Sequence, residues 1–485
     1  MARLQDLSTE LVLGIVEKVL PEDIESLALA SKYIYQLAMP RLEEHRRLRK
    51  EYTNFRNSVN YKPNHWLDPG GLLAELLCKI VDDASIGHYV KKIELGLLNT
   101  GAKEGWKPDE VFKKQVNPSK TRLRQHLKTN MDIIEEVIRA VEIIPTEEVD
   151  DWLHQIRRGN EDPVIALLLL YTPKLHTLMF EIPYDRRDSS YLLKTIQRVA
   201  GQGPAGKPYL SHFRNVELNF AEKWESLDFV KAFMSLPSLT TIKTDTLYVD
   251  GRTHEANSAL LPRPSNVNKM SFQGGCLPQS VFSEFLRGME NLNAFDYSFR
   301  TLWRDMEYTP TFDCTAVISP LVANASHTLE RLKLGPVDIR TSQIASLRGF
   351  RALREVTFDT SRCLLVEEDS VADFVGVLPV SINRLAFRWH EVGLVDGLGR
   401  LTAAFVGLIR ESKTQLPHLR ALHMSTNDQS ESDALFEYLA GSDETMQINR
   451  LLSLNIQGPN GGGEIAAWAD NVCTCGEDCF GNGSH

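Results

Sequence analysis

The sequence of 485 residues lacks any apolar run of about 18 residues, the length a membrane-spanning helix needs, so no such helix is expected. It lacks an excess of positive charge. Its 54 Lys and Arg against 64 Asp and Glu give a net charge of −10, which argues against general nucleic-acid binding. It lacks a disulfide framework: of seven cysteines, Cys78, Cys276, Cys314 and Cys363 are scattered and three sit near the C-terminus. No H-E-x-x-H, Walker A loop or G-x-S-x-G is present, so no catalytic residue, cofactor or enzymatic activity is expected. Acids interrupt M-A-R-L-Q-D-L-S-T-E where a signal peptide needs apolar residues, and a cytoplasmic or nuclear location is expected. What is present is ordinary for a folded chain: 42% apolar and 24% charged residues exclude wholesale disorder.

The first forty residues hold 22 apolar residues, 55% against 42% for the whole chain, and the excess is patterned. Ser8 is expected to cap a helix through its hydroxyl, with Glu10 favoured in the first turn by the helix dipole. On a wheel of 100° per residue, Leu11, Ile15, Val19, Val12, Val16, Leu20 and Leu13 fill an arc of about 200°. Packing against one layer needs roughly half that width. Pro21 closes this helix, and Glu22 and Asp23 open a second with Ile24, Leu27 and Ala28. A third, with Ile34, Leu37 and Ala38, is expected to end at Pro40. Modules below about 40 residues rarely fold without help. The spare apolar face therefore either packs on the rest of the chain or docks another protein.

The run L-Q-D-L-S-T-E-L-V-L-G-I-V-E-K-V-L-P-E-D-I-E-S-L-A-L-A-S-K-Y-I-Y-Q-L resembles an F-box. Leu7, Glu10, Leu11, Ile15, Asp23, Ile24, Leu27, Leu29, Lys32 and Tyr35 match the family pattern. Ser8 stands where the family usually has Pro, and either residue can start a helix. The resemblance covers about a tenth of the chain. It implies docking on the Skp-type adaptor of SCF ubiquitin ligases, and through it on a cullin. The adaptor-binding residues it implies are Leu7, Ser8, Glu10, Leu11, Ile15, Ile24, Leu27 and Leu29.

Residues 41–62 carry seven Lys and Arg against three Glu, a local net of 7 − 3 = +4, and read as a solvated helix. Residues 41–79 are expected to be linker helices. The chain then repeats, with apolar-x-x-apolar-x-apolar units, the core of a leucine-rich-repeat strand. Eleven occur in order: Val90-Ile93-Leu95, Leu175-Leu178-Phe180, Phe213-Val216-Leu218, Leu239-Ile242-Thr244, Val267-Met270-Phe272, Leu292-Phe295-Tyr297, Leu329-Leu332-Leu334, Leu353-Val356-Phe358, Ile382-Leu385-Phe387, Leu419-Leu422-Met424 and Leu451-Leu454-Ile456. Apart from one gap of 85 residues, the central positions recur every 24–38 residues, leaving room for a helix or loop. The alternation of apolar and polar positions favours a solenoid's inner sheet over the all-apolar strands of a doubly wound sheet. The expected class is α/β: a short all-α N-terminal module, residues 1–40, then an irregular leucine-rich-repeat solenoid over 80–458, with a parallel inner sheet and outer helices. The long gap, with helices near 121–144 and 151–171, reads as a helical insertion over 96–174 or as a strandless first repeat.

Residues 459–485 are a Gly- and Cys-containing tail. Cys473, Cys475, Cys479 and His485 could in principle ligate zinc, but Cys-x-Cys-x-x-x-Cys is not a common structural spacing, and no metal is expected. The run Gly201 to Gly206 matches the dinucleotide fingerprint in letters only: a helix-like segment precedes it and Pro204 removes a donor, so a surface loop is expected. Together these features predict an adaptor. The F-box would hold the ligase and the solenoid would hold a protein substrate. The alternative is a scaffold of the same build that acts outside ubiquitination. Alternation along the strands places Arg331, Lys333, Glu355, Thr357, Asp359, Arg384, Arg388 and His423 on the exposed face. With Trp389, the charged members of this band are the expected substrate surface.

Overall fold

A computed structural model describes residues 7–56, 69–97, 127, 130–182, 190–202, 208–220, 227–247, 264–275, 277, 279–298, 314–337, 345–360, 370–389, 414–426, 453–457 and 464–465. The cysteine tail lies outside these residues. The chain divides into two units, Met1–Glu290 and Asn291–His485.

The first unit opens with α1 (Thr9–Lys18), α2 (Ile24–Leu29) and α3 (Lys32–Tyr52). Their shared core is Val12, Val16, Ile24, Ala28, Ile34, Ala38 and Leu42. Helix α3 runs through Pro40, where the sequence predicted a stop. Pro40 is exposed, and beyond it Leu42, His45, Leu48 and Tyr52 continue a buried stripe at helical spacing. Packing of that stripe outweighs the one hydrogen bond the ring removes. The expected boundary at residue 40 thus falls inside a helix.

The strand β1 (Asn54–Arg56) follows directly and pairs in parallel with β2 (Lys92–Leu97), Phe55 opposite Ile93. The sheet therefore begins inside the segment expected to be linker. Between these strands lie α4 (Pro69–Asp82) and α5 (Ala84–Tyr89). The expected insertion contributes α6 (Met131–Ala140), α7 (Val149–Arg157) and α8 (Glu161–Tyr171). Helix α8 is integral to the core, since every residue from Glu161 to Leu170 is buried. The Asp162 carboxylate among them is satisfied: it accepts from Ser190 Oγ at 3.1 Å and from the backbone N–H of Tyr191 at 2.6 Å. Those donors open α9 (Tyr191–Gly201), so Asp162 caps the next helix from a distance.

The ladder continues through β3 (Thr177–Ile182), β4 (Asn215–Phe220), β5 (Thr241–Asp245) and β6 (Lys269–Gln273), each parallel to its predecessor. Helices α10 (Asp228–Met234) and α11 (Gln279–Arg287) complete this unit. The central apolar residues form one row, Ile93, Leu178, Val216, Ile242 and Met270. All are buried, as are the flanking members of their triplets, including Thr244.

The second unit repeats the plan. Strands β7 (Ala294–Ser298), β8 (Arg331–Val337), β9 (Glu355–Thr360), β10 (Arg384–Trp389), β11 (Ala421–Thr426) and β12 (Ser453–Gln457) pair in parallel and in sequence order. A short β13 (Glu464–Ile465) adds antiparallel to β12. Helices α12 (Cys314–Ala325) and α13 (Ser370–Val377) lie between strands. The central row is Phe295, Leu332, Val356, Leu385, Leu422 and Leu454. Phe358 of β9 packs on Phe374 of α13 and Phe387 of β10, at ring separations of 5.6 and 6.0 Å. Both units have the leucine-rich-repeat-like α/β build.

Gly87 in α5 shows how tightly the first unit is assembled. A Cβ there would stand 2.1 Å from the carbonyl oxygen of Tyr171, at the end of α8. Gly87→Ala is expected to destabilise the unit by about 1–3 kcal/mol, because one of two packed helices must move. The midpoint of urea unfolding should fall accordingly; an unchanged midpoint would mean that α5 and α8 do not meet there.

Candidate functional site

The described residues offer two exposed surfaces of distinct chemistry, one on α1–α3 and one on the open face of the sheet. On α1, Val12 and Val16 occupy the middle of the wide apolar arc and are buried, Ile15 and Val19 are half-buried, and Leu11, Leu13 and Leu20 at its edges are exposed. The core takes about as much of the arc as one packing layer needs. Leu29 at the end of α2 is 82% exposed and Leu11 is 58% exposed. Among the described residues, seven large apolar side chains are exposed, and five of them, Leu11, Leu13, Leu20, Leu29 and Tyr35, lie between residues 11 and 35.

The other expected adaptor-binding residues are placed differently. Ile24 is 2% exposed and belongs to the core of the three helices, so it holds them together and does not present a face to solvent. Leu7 and Leu27 pack partly against that core. Ser8 occupies the N-cap position with extended backbone, but its hydroxyl makes no cap hydrogen bond to the helix backbone. Instead the Glu10 carboxyl is held below its usual range by its own backbone N–H and by the Ser8 hydroxyl.

A polar clasp fastens this module to the repeats of its unit. Glu22, in the turn between α1 and α2, reaches Lys174 Nζ at 3.0 Å and His88 Nδ1 at 3.3 Å. Burial opposes ionisation of Glu22, but Lys174 and His88 outweigh it and its carboxyl sits below the usual range. Glu25 on α2 lies 3.2 Å from Arg49 and 3.6 Å from the buried His45, whose Nδ1 meets the Tyr89 hydroxyl at 3.1 Å. No local sequence motif marks this clasp, because its paired members are 20 to 152 residues apart.

On the open sheet face, strand pairing collects the expected substrate residues into rows. Arg331, Glu355 and Arg384 are neighbours in register, as are Lys333, Thr357, Ala386 and His423. Asp359 is opposite Arg388, and Trp389 ends β10 opposite Thr360. The side chains of Asp359 and Trp389 lie outside the described set. Lys333 is paired with Asp296 at 3.3 Å. His423 is buried, and its pKa is pushed down to about 4 by burial and by the guanidinium charges of Arg384 and Arg388.

In the first unit the same face is paired. Glu217 meets Lys243 at 3.1 Å, and Glu94 meets Arg56 at 3.1 Å and Lys92 at 3.3 Å. Among the described residues no group of three or more His, Cys, Asp or Glu is placed to hold a metal ion. No described helix is long and apolar enough to cross a membrane.

No protein-family model matches the chain, and no curated protein matches it in sequence. Among solved structures, the leucine-rich repeat-containing protein LegL7 from Legionella pneumophila is similar at 10% identity, with 84% of this chain and 92% of that chain covered and a TM-score of 0.37. The fold assignment rests on strand order and register, not on that likeness.

The environment of His423 fixes a pH dependence. Its folded pKa, about 4, lies below the ordinary histidine value of 6.5. As pH falls through that window the unfolded imidazole gains a proton that the folded one refuses, so stability is lost with acidification. The loss attributable to His423 should approach about 3 kcal/mol at pH 4. Urea unfolding at pH 7 and pH 4.5 should show a shallower decline in His423→Gln; identical declines would place the acid sensitivity elsewhere.

Proposed function

We propose that this chain is a substrate receptor of an SCF-type ubiquitin ligase. Its N-terminal helices dock on a Skp-type adaptor, and through it on a cullin, while the repeats hold a protein substrate. The observation that carries this reading is the concentration of exposed large apolar side chains between residues 11 and 35. They lie in the segment whose residues resemble an F-box. A folded module leaves such surface in water where a partner covers it. The polar clasp supports the same reading, because it anchors the module to its unit while those side chains stay outward. The chain's contribution to ubiquitin transfer would be proximity: substrate lysines are brought near the charged enzyme, so an intermolecular transfer becomes effectively intramolecular.

Leu11→Asp and Leu29→Asp should each abolish co-purification with a co-expressed Skp-type adaptor. A charge forced into a desolvated apolar interface costs several kcal/mol, a loss on the order of a hundredfold in affinity. Both side chains are exposed, so melting should stay unchanged. Ile133→Asp, at an exposed position on α6, is the matched control and should bind normally. Wild-type binding by both N-terminal variants would refute adaptor docking. Recovery of cullin, together with a bound protein that accumulates when the proteasome is inhibited, separates a receptor from a scaffold acting outside ubiquitination.

A further inference from the structure

The entry edge of the sheet in the first unit gathers basic side chains from three consecutive strands. Just before the strands begin, the backbone N–H of His176 bonds to the carbonyl of Lys91, and that of Arg214 to the carbonyl of His176, both at 2.8 Å. Lys91, His176 and Arg214 therefore form one row leading into β2, β3 and β4, with neighbours about 4.8 Å apart. Two residues earlier on the last two strands, Lys174 Nζ lies 3.3 Å from His212 Nε2. The His176 and His212 rings stand edge to face, with centroids 6.1 Å apart. Burial first, and then Lys91, His212, Arg214 and Lys174, hold the His176 pKa below its usual range, so all four lie close to one ring.

Acids are sparse around this cluster. The row continues with Thr240 and Asn268, and the next row is Lys92, Thr177, Asn215, Thr241 and Lys269. Further along the strands, Glu94 faces Arg56 and Lys92, and Glu217 faces Lys243. Among the described residues, Glu22 opposes Lys174 at 3.0 Å, whereas no ion pair engages Lys91 or Arg214, both of which are exposed. Arg214 gives one hydrogen bond, from a terminal guanidinium nitrogen to the Ser238 carbonyl at 2.9 Å, and keeps its other donors.

We propose that this edge binds a single phosphate monoester, with Lys91 and Arg214 flanking the anion and His176 and His212 donating hydrogen bonds beside them. Such a group carries about two negative charges and three strong acceptor oxygens, so one anion can engage several donors at once. A carboxylate brings one charge and would leave the second cation unmatched. Ammonium and guanidinium groups both recognise phosphate. The cations span about 10 Å across three strands, and the row turns neutral at Thr53 on one side and Thr240 on the other. That breadth suits one compact anion and gives the repeated phosphates of a nucleic acid no track to follow. The site does not depend on the receptor reading, since Lys91 and Arg214 lie outside α1–α3.

Phosphorus NMR tests the site with two probes, free O-phosphoserine and an otherwise uncharged decapeptide carrying one phosphoserine, each titrated with the 485-residue chain. At least one phosphorus resonance should broaden and shift as the chain is added. Lys91→Gln with Arg214→Gln should weaken binding about tenfold or more. Lys91→Gln alone should weaken it severalfold, and it is the deciding variant where the double substitution lowers the melting temperature. Arg139→Gln, which removes an exposed cation from α6, should bind as the wild type does. Tighter binding of the peptide, by about tenfold, assigns the phosphate to a partner protein, and equal or tighter binding of O-phosphoserine assigns it to a small ligand; either supports the site. No change in either resonance, or equal binding by the Lys91 and Arg214 variants, overturns the proposal. So does displacement of the bound probe by an equal concentration of the decapeptide with glutamate in place of phosphoserine. Displacement by an equal concentration of oligouridine RNA overturns it in favour of a nucleic-acid face.

Discussion

Parallel pairing of each strand with its neighbour in sequence is the constraint on which both units depend. A parallel neighbour cannot be reached by a tight turn, so the chain must cross back over a dozen or more residues before each new strand. That crossing is where the helices lie, and it sets a repeat of 24–38 residues over most of the array. The pairing also fixes which side chains can be buried. A slip of one residue would turn Ile93, Leu178 or Val216 to water and bring Glu94 or Glu217 into the core. Each buried central residue thus enforces the register of the strands beside it, and the open face inherits its order from the buried one.

This dependence explains what could be read from sequence. A triplet of buried positions is a local pattern of period two, so the strand units were legible one by one. All eleven coincide with β2 to β12. The first strand was not, because Tyr52 and Phe55 are followed by Asn57 where a third apolar residue would complete the triplet. Pro40 misled for a related reason: its local cost is visible in sequence, whereas the buried stripe that repays it spans Ile34 to Tyr52. Of the expected adaptor face, the edges of the α1 arc were correctly separable only once packing had claimed its centre. Ile24 shows the limit of a family pattern, which records that a position is apolar without saying whether it faces the core or a partner.

The attachment of the N-terminal helices has a different physical character from the ladder. Three helices of modest core meet the repeats through Glu22 with Lys174 and His88, and through His45 with Tyr89. Individual ion pairs with solvent access contribute little stability, about 0–1 kcal/mol each. Their geometry is more restrictive than their energy. A carboxylate held by two partners from separate elements sets orientation in a way that apolar contact, being non-directional, does not. Under the proposed receptor function, orientation between these helices and the repeats matters in its own right, because effective molarity falls when the reacting groups are misaligned.

The same distinction governs the sheet face. In the first unit Glu217 with Lys243, and Glu94 with Arg56 and Lys92, neutralise one another across neighbouring strands. Such pairs add little to folding, yet they remove the charge that a partner would otherwise meet. In the second unit Lys333 meets Asp296 in the same way, and the register sets Glu355 beside Arg384 and Asp359 beside Arg388. The order of charges on that face follows from the strand register: the apolar residues that hold β10 between β9 and β11 are the ones that set Arg384 and Arg388 on a common side.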